Sequence, residues 1–142
     1  MTTQEASTQK TLTFVLMDAP YENARTTTAL RLIDIAAGRG HNINVFTYEG
    51  AVYLPFALQK AHPNPVHGKD AEEEDHVLPR EWVAATMAKA EANGGTVDWV
   101  NCGFCVDERG ADEAIPGVRR GGPPNLVQWV GESDNVLVIP TK

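Results

Sequence analysis

Apolar and polar positions alternate along this chain in blocks, brief apolar runs followed by longer amphipathic stretches. Thr11–Met17 (TLTFVLM) is short, apolar and partly β-branched, the pattern of a buried strand. Asp18–Asn23 interrupts it as a loop, and Asn23 or Thr26 is placed to cap the segment that follows. From Arg25 to Arg39, Ala29, Leu30, Ile33, Ala36 and Ala37 recur at three- and four-residue steps, which puts them on one face of a helix. Gly40 suits a left-handed exit from that helix. Asn42–Tyr48 (NINVFTY) alternates and reads as a second strand. Strand, helix and strand with short links predict a βαβ unit, hence a parallel pair with a right-handed crossover.

The pattern weakens after that unit. Gly50–Leu58 is apolar but holds Pro55, which argues against a long strand. A polar loop is expected over about 59–78; its stretch His62–Asp75 (HPNPVHGKDAEEED) is too polar to bury much surface and is expected to be mobile. Pro79 opens a helix whose apolar face is Trp82, Val83, Thr86, Met87 and Ala90, and Gly94-Gly95 stops it. Thr96–Val100 reads as a third strand, Asn101–Gly110 as a turn and short helix, and Ile115–Arg119 as a short fourth strand. Pro123–Val130 reads as a helix with Leu126, Val127 and Val130 inward, and Asn135–Ile139 (NVLVI) as the closing strand. Alternating strands and helices of this kind build an α/β fold, a parallel sheet covered on both faces. Residues 1–10 read as a flexible polar tail, and 11–142 as a single domain.

Composition narrows the function classes. A formal net charge of -7 and a pI near 5.0 argue against broad contact with nucleic acid or an anionic membrane, and would steer a basic partner inward. The polar N-terminus lacks a signal-peptide pattern and the first apolar run is too short to span a bilayer, so a cytoplasmic location is expected. In that compartment a thiol pair is more often reactive or metal-binding than a structural disulfide.

The thiol pair is Cys102-Gly-Phe-Cys105. Cys102 follows the third strand directly, and in parallel α/β sheets reactive groups gather beyond the carboxyl ends of the strands. A helix starting near Gly103 would aim its first amides at the sulfur and favour thiolate. The spacing admits a redox dithiol, half of a zinc site with no second half, or one working cysteine beside one that packs. Arg109 is about two helical turns on, and Arg119 and Arg120 follow across a loop. These could hold a thiolate or persulfide anion, or be solvated surface charges. His62, His67 and His76 share the polar loop with Glu72–Asp75, and imidazole and thiolate together suit zinc or copper. Their spacing is neither a helical pair nor a finger, which favours an ordinary solvated loop. Trp99 and Trp129 are expected in the core, and with Trp82 they could also serve an assembly interface. No phosphate loop, dinucleotide fingerprint or serine elbow is present.

Val100-Asn-Cys102-Gly-Phe-Cys105-Val-Asp-Glu-Arg109-Gly110 resembles the cysteine motif of DsrE/DsrF-like (DsrE/TusD-type) sulfur-relay proteins: a strand, a cysteine, and an Arg-Gly pair two turns later. Thr26–His41 is similar to the first helix of that family and its Gly-His exit, and Ile115–Val118 and Asp134–Val138 resemble its late segments. The resemblance implies a flavodoxin-like three-layer α/β/α fold with a mostly parallel sheet of about five strands, homo-oligomers that are often trimers or hexamers, and no cofactor. It also implies sulfur relay, in which a cysteine takes sulfane sulfur as a persulfide from one carrier and passes it to another, such as a TusA-like or rhodanese-like protein. The spacing to Gly110 puts Cys102, and not Cys105, at the sulfur-carrying position, with Gly103 and Arg109 in support. The His- and Glu-rich stretch at 61–76 departs from the family pattern. The expected function is a sulfur carrier or sulfurtransferase in which Cys105 could attack a Cys102 persulfide; metal binding and a non-catalytic assembly module are the alternatives.

Overall fold

The apolar runs form one sheet: β1 (Thr11–Leu16), β2 (Asn42–Thr47), β3 (Val97–Cys102), β4 (Val118–Gly121) and β5 (Asn135–Ile139). The computed structural model describes residues 8–63, 68–74 and 77–141. Strand order is β4-β3-β2-β1-β5, and all neighbours are parallel. The chain steps outward from β1 to β4, then returns for β5 on the far side of β1, so the order reverses at β1. Its layering is flavodoxin-like, with the last strand of the chain beside β1.

The connecting helices are α1 (Ala24–Gly38), α2 (Ala71–Glu74), α3 (Pro79–Ala92), α4 (Gly103–Arg109) and α5 (Pro123–Glu132), with a 3-10 turn at Glu49–Tyr53. Central strands covered on both sides must be apolar on both sides. The last four residues of β1 are accordingly all buried. Phe14, Leu16, Ile43, Val45 and Trp99 face α1 and α3, where they pack on Leu30, Ile33 and Val83. Val15, Phe46, Val100 and Cys102 face the opposite layer and pack on Val52, Cys105, Val106 and Trp129.

Local chemistry sets the helix ends. Asn23 caps α1, its side-chain oxygen accepting from the Arg25 N–H at 2.7 Å, while the Thr26 hydroxyl reaches back to the Asp18 and Ala19 carbonyls. Gly40 follows with φ +78°, and a Cβ there would come within 2.5 Å of the Asn93 carbonyl oxygen. Both the backbone region and the space call for glycine. Of the residues read as a tail, 8–10 are described; Gln9 donates to the Gly40 and Gly94 carbonyls, and the Lys10 N–H to His41 Nδ1. Inside the segment read as a polar loop, α2 forms with the Asp70 carboxylate accepting from the Glu73 N–H at 2.9 Å.

Two local expectations are corrected. The fourth strand runs Val118–Gly121 and not Ile115–Arg119. Residues 113–115 are engaged elsewhere: Ala57 N–H donates to Glu113 O at 2.8 Å, Ile115 N–H donates to Pro55 O at 3.0 Å, and Phe56 bridges Ala114. Helix α5 turns Leu126 and Trp129 inward, leaving Val127 72% and Val130 52% exposed. Leu126 fits either apolar face of this helix. The indole of Trp129 removes more area from water than two valines can, so its face is the one buried. Among the described residues no helix is long and apolar enough to cross a membrane.

Candidate functional site

Cys102 is the last residue of β3 and the N-cap of α4, so the strand delivers its sulfur to the carboxyl end of the sheet. The residue before it, Asn101, is buried; it donates to Val52 O at 3.3 Å and accepts from the Thr47 hydroxyl. Those bonds tie the end of β3 to β2 and to the 3-10 turn. Cys105 lies one turn into α4. Both cysteines are free, and each is only 7% exposed, among Val52, Val100, Val106 and Trp129.

Glu49 reaches this pair from 56 positions before Cys105 in the sequence. Its backbone N–H donates to Cys105 Sγ at 3.1 Å. Its φ is +52°, a left-handed conformation that costs a non-glycine residue roughly 1–3 kcal/mol. Its carboxylate meets Arg109 Nη2 at 2.9 Å, Arg109 Nη1 donates to Cys105 O at 3.4 Å, and the Tyr53 hydroxyl donates to Arg109 O at 2.7 Å. Glu49 is therefore fastened to α4 through both its main chain and its side chain. Burial pushes the Cys105 thiol up from its ordinary value; the Glu49 N–H pulls it down, and the neighbouring Cys102 thiol adds to the rise.

The three arginines are all paired with carboxylates. Arg109 holds Glu49, as described. Arg120 bonds Asp107 and Asp112 at 3.0 Å each, and its Nη2 donates to Gly103 O at 3.2 Å, across the start of α4. Gly103 leaves room for it: a Cβ there would stand 3.1 Å from Arg120 Nη2. The guanidinium holds the Asp107 carboxyl below its usual range, and the two carboxylates hold Arg120 firmly charged. Arg119 forks onto Asp98, earlier on β3, through two bonds of 2.9 Å. Arg109 and Arg120 thus brace α4, while Arg119 serves the lower part of the sheet.

His62 packs edge-on to Tyr21 with ring centroids 5.1 Å apart. His67 and His76 lie outside the described residues. No cluster of three or more His, Cys, Asp or Glu able to hold a metal ion occurs among the described residues. Trp99 and Trp129 are buried, and Trp82 is partly buried against the α1–α3 core. A crevice of about 860 Å³ opens beyond β1 and β2, walled by Asp18, Asn23, Tyr48, Glu49, Tyr53 and Arg109. It occupies the position beyond the strand ends, near the reversal of strand order, where open α/β sheets bind ligands.

The profile of the DsrE/DsrF-like family matches residues 10–139, which takes in every strand and both cysteines. This chain belongs to the DsrE/DsrF-like family. That family is associated with sulfur relay. An uncharacterized protein of Methanopyrus kandleri is 32% identical to this DsrE/DsrF-like chain over 128 residues, covering 89% of this chain and 91% of that one. An uncharacterized protein of Methanocaldococcus jannaschii is 30% identical over 129 residues, covering 89% and 97%. The crystal structure of the ychN protein from E. coli superposes with a TM-score of 0.70 at 24% identity, over 92% of this chain and 99% of that one. That likeness establishes the shared fold.

Glu49, Tyr53 and Asn101 are the site residues that sequence reasoning missed. None carries a local signal. Their importance comes from bonds that span 49 to 56 positions.

Proposed function

We propose that this protein carries sulfane sulfur as a persulfide on Cys102 and hands it to an acceptor protein in a cytoplasmic sulfur relay. The observation that supports it most is the place of Cys102: N-cap of α4, at the carboxyl end of β3, in a chain of the DsrE/DsrF-like family. In the loading step the Cys102 thiolate attacks the outer sulfur of a donor persulfide. A bond forms to that sulfur, the donor's own S–S bond breaks, and the donor leaves as thiolate. Arg109 and Arg120 fix the helix that carries both thiols, and Gly103 leaves room for the Arg120 guanidinium across its start. Arg119 acts at a distance, through the sheet. The donor and acceptor would be TusA-like or rhodanese-like proteins.

Intact-mass spectrometry of the reduced protein after exposure to a sulfane-sulfur donor tests this. A gain of one or more sulfur atoms, lost in Cys102→Ser and kept in Cys105→Ser, is the expected result. No gain in the wild-type protein with either a small-molecule or a protein donor would overturn it.

Assembly is favoured by a specific surface. β5 is an edge strand, and Leu137 and Val138 on it are exposed together with Leu32 and Ile35 on α1 and Val127 and Val130 on α5. Apolar side chains flanking an open strand edge suit contact between chains. This supports a homo-oligomer, for which the family resemblance implies a trimer or hexamer, whether the chain works as a carrier or as an assembly module. Sedimentation of the wild-type protein against Leu137→Asp would separate a homo-oligomer from a monomer.

A further inference from the structure

The carrier reading uses one thiol and leaves the second unexplained. Cys105 is no ordinary packing cysteine. A residue 56 positions away adopts a left-handed conformation and points its N–H at the Cys105 sulfur. Backbone held in a costly region persists only where the surroundings enforce it, and such positions gather at working sites. Here the enforcement is the Glu49–Arg109 pair together with the Tyr53 bond to Arg109 O. The bonds converge on a sulfur that has the Cys102 thiol as its neighbour.

Spacing suits a reaction between the two sulfurs. The N-cap and the third residue of a helix are one turn apart, with Cα atoms at roughly 5–6 Å, inside the range a disulfide spans. Burial makes the internal reaction the more accessible one. With Cys102 only 7% exposed, an outside acceptor must first open the site, whereas Cys105 is already inside it.

We propose that Cys105 is a resolving nucleophile that discharges the Cys102 persulfide as hydrogen sulfide when no acceptor is engaged. This rests on the persulfide reading above. The Cys105 sulfur attacks the inner, Cys102 sulfur. A Cys102–Cys105 bond forms and the bond to the outer sulfur breaks. The outer sulfur leaves as hydrosulfide and takes up the proton that Cys105 gives up, so one persulfide and one thiol become one disulfide and one hydrogen sulfide. A dithiol reductant then returns two electrons by exchange and restores both thiols. The Glu49 N–H is the positioning group, holding the attacking sulfur in place and supporting its anion. The protein would thus be both a sulfur carrier and, without a partner, a sulfide-releasing device.

The experiment loads reduced wild-type protein, Cys105→Ser and Cys105→Ala with a small-molecule sulfane donor, removes the donor, and follows sulfide release and intact mass with time. Peptide mapping locates any disulfide. In the wild-type protein, the added sulfur is expected to disappear with one equivalent of sulfide, leaving a Cys102–Cys105 disulfide and a mass two hydrogens below the reduced chain. The wild-type rate is expected to be independent of protein concentration, and both variants are expected to keep the added sulfur at least tenfold longer. Equal persulfide lifetimes in all three proteins would overturn the inference and leave the carrier reading standing. A wild-type protein that never takes up sulfur would overturn the carrier reading and this inference with it. The wild-type disulfide is read without any substitution, so its absence after sulfide release also counts against the inference even if a variant fails to fold.

Discussion

Glu49 and Cys105 stand 56 residues apart in sequence and are joined by an N–H···S hydrogen bond of 3.1 Å. Glu49 holds φ at +52° in this arrangement. It connects the end of β2 to α4 and makes the second thiol a fixed part of the site.

Strain at Glu49 is measurable by comparing two substitutions that both remove its carboxylate. Glu49→Gly and Glu49→Ala each lose the pair with Arg109, which is partly exposed and contributes little on its own. Only glycine takes the left-handed conformation without penalty. Urea unfolding is expected to find Glu49→Gly more stable than Glu49→Ala by about 1 kcal/mol. An alanine variant as stable as the glycine variant would show that this backbone stores no strain.

The raised Cys105 thiol sets a direction for stability with pH. Burial is the larger cause, so the folded chain keeps this proton at pH values where the unfolded chain has lost it. The stabilising contribution is complete below the ordinary thiol range, near about 8.5, and is lost as pH rises through the folded value. Wild-type protein is therefore expected to lose more stability between pH 8 and pH 10 than Cys105→Ala, which lacks this proton. Parallel slopes for the two proteins would contradict the shift.

Phe104 stands between the two cysteines and is 80% exposed, with the acidic side chains of Asp107 and Glu108 nearby on α4. An isolated aromatic ring beside a buried thiol is placed to anchor a partner that must open the site. Phe104→Ala is expected to slow sulfur transfer to or from a protein partner by tenfold or more. Loading from a small-molecule donor should change less than twofold. Equal slowing of both would assign Phe104 to the loading chemistry, and no change in either would remove it from docking.

The face chosen by α5 predicts unequal costs for neighbouring substitutions. Trp129 is buried in the cluster that holds both cysteines, so Trp129→Ala should cost about 3–5 kcal/mol. Val127 projects outward, and Val127→Thr should stay within about 0.5 kcal/mol. Denaturant midpoints of the two variants check this, and comparable losses would restore the inward placement of Val127.

Much of this protein follows from local pattern. The run Thr11–Leu16 is a central strand whose last four residues are buried because both faces of the sheet are covered there, whereas Asn135–Ile139 is legible as a short apolar run and forms the sheet edge, largely exposed. The step pattern of Ala29, Leu30, Ile33 and Ala37 marks α1 because helical geometry alone puts them on one face. Asn23, Gly40 and Pro79 mark helix ends through their own backbone and side-chain chemistry. The CxxC pair, its place at the end of β3 and the family motif around it are equally local.

What remained was decided between segments. Two apolar faces competed in α5, and the neighbouring surface of β1 and β5 selected the one with Trp129. Ile115 reads as the start of the fourth strand and instead pairs, with 113 and 114, to 55–57, because that partner lies beside them only in the folded chain. Arg109 and Arg120 were legible as cations near the thiols, but their bonds to Glu49, Asp107 and Asp112 depend on loops brought together by the sheet. Sequence alone determined four of the five strands, most of the helices and the location of the thiols, since each depends on residues within a few positions of one another. Only the tertiary structure decided that both thiols are buried and that Glu49 holds Cys105, since burial and long-range hydrogen bonds arise from packing between elements that no local pattern encodes.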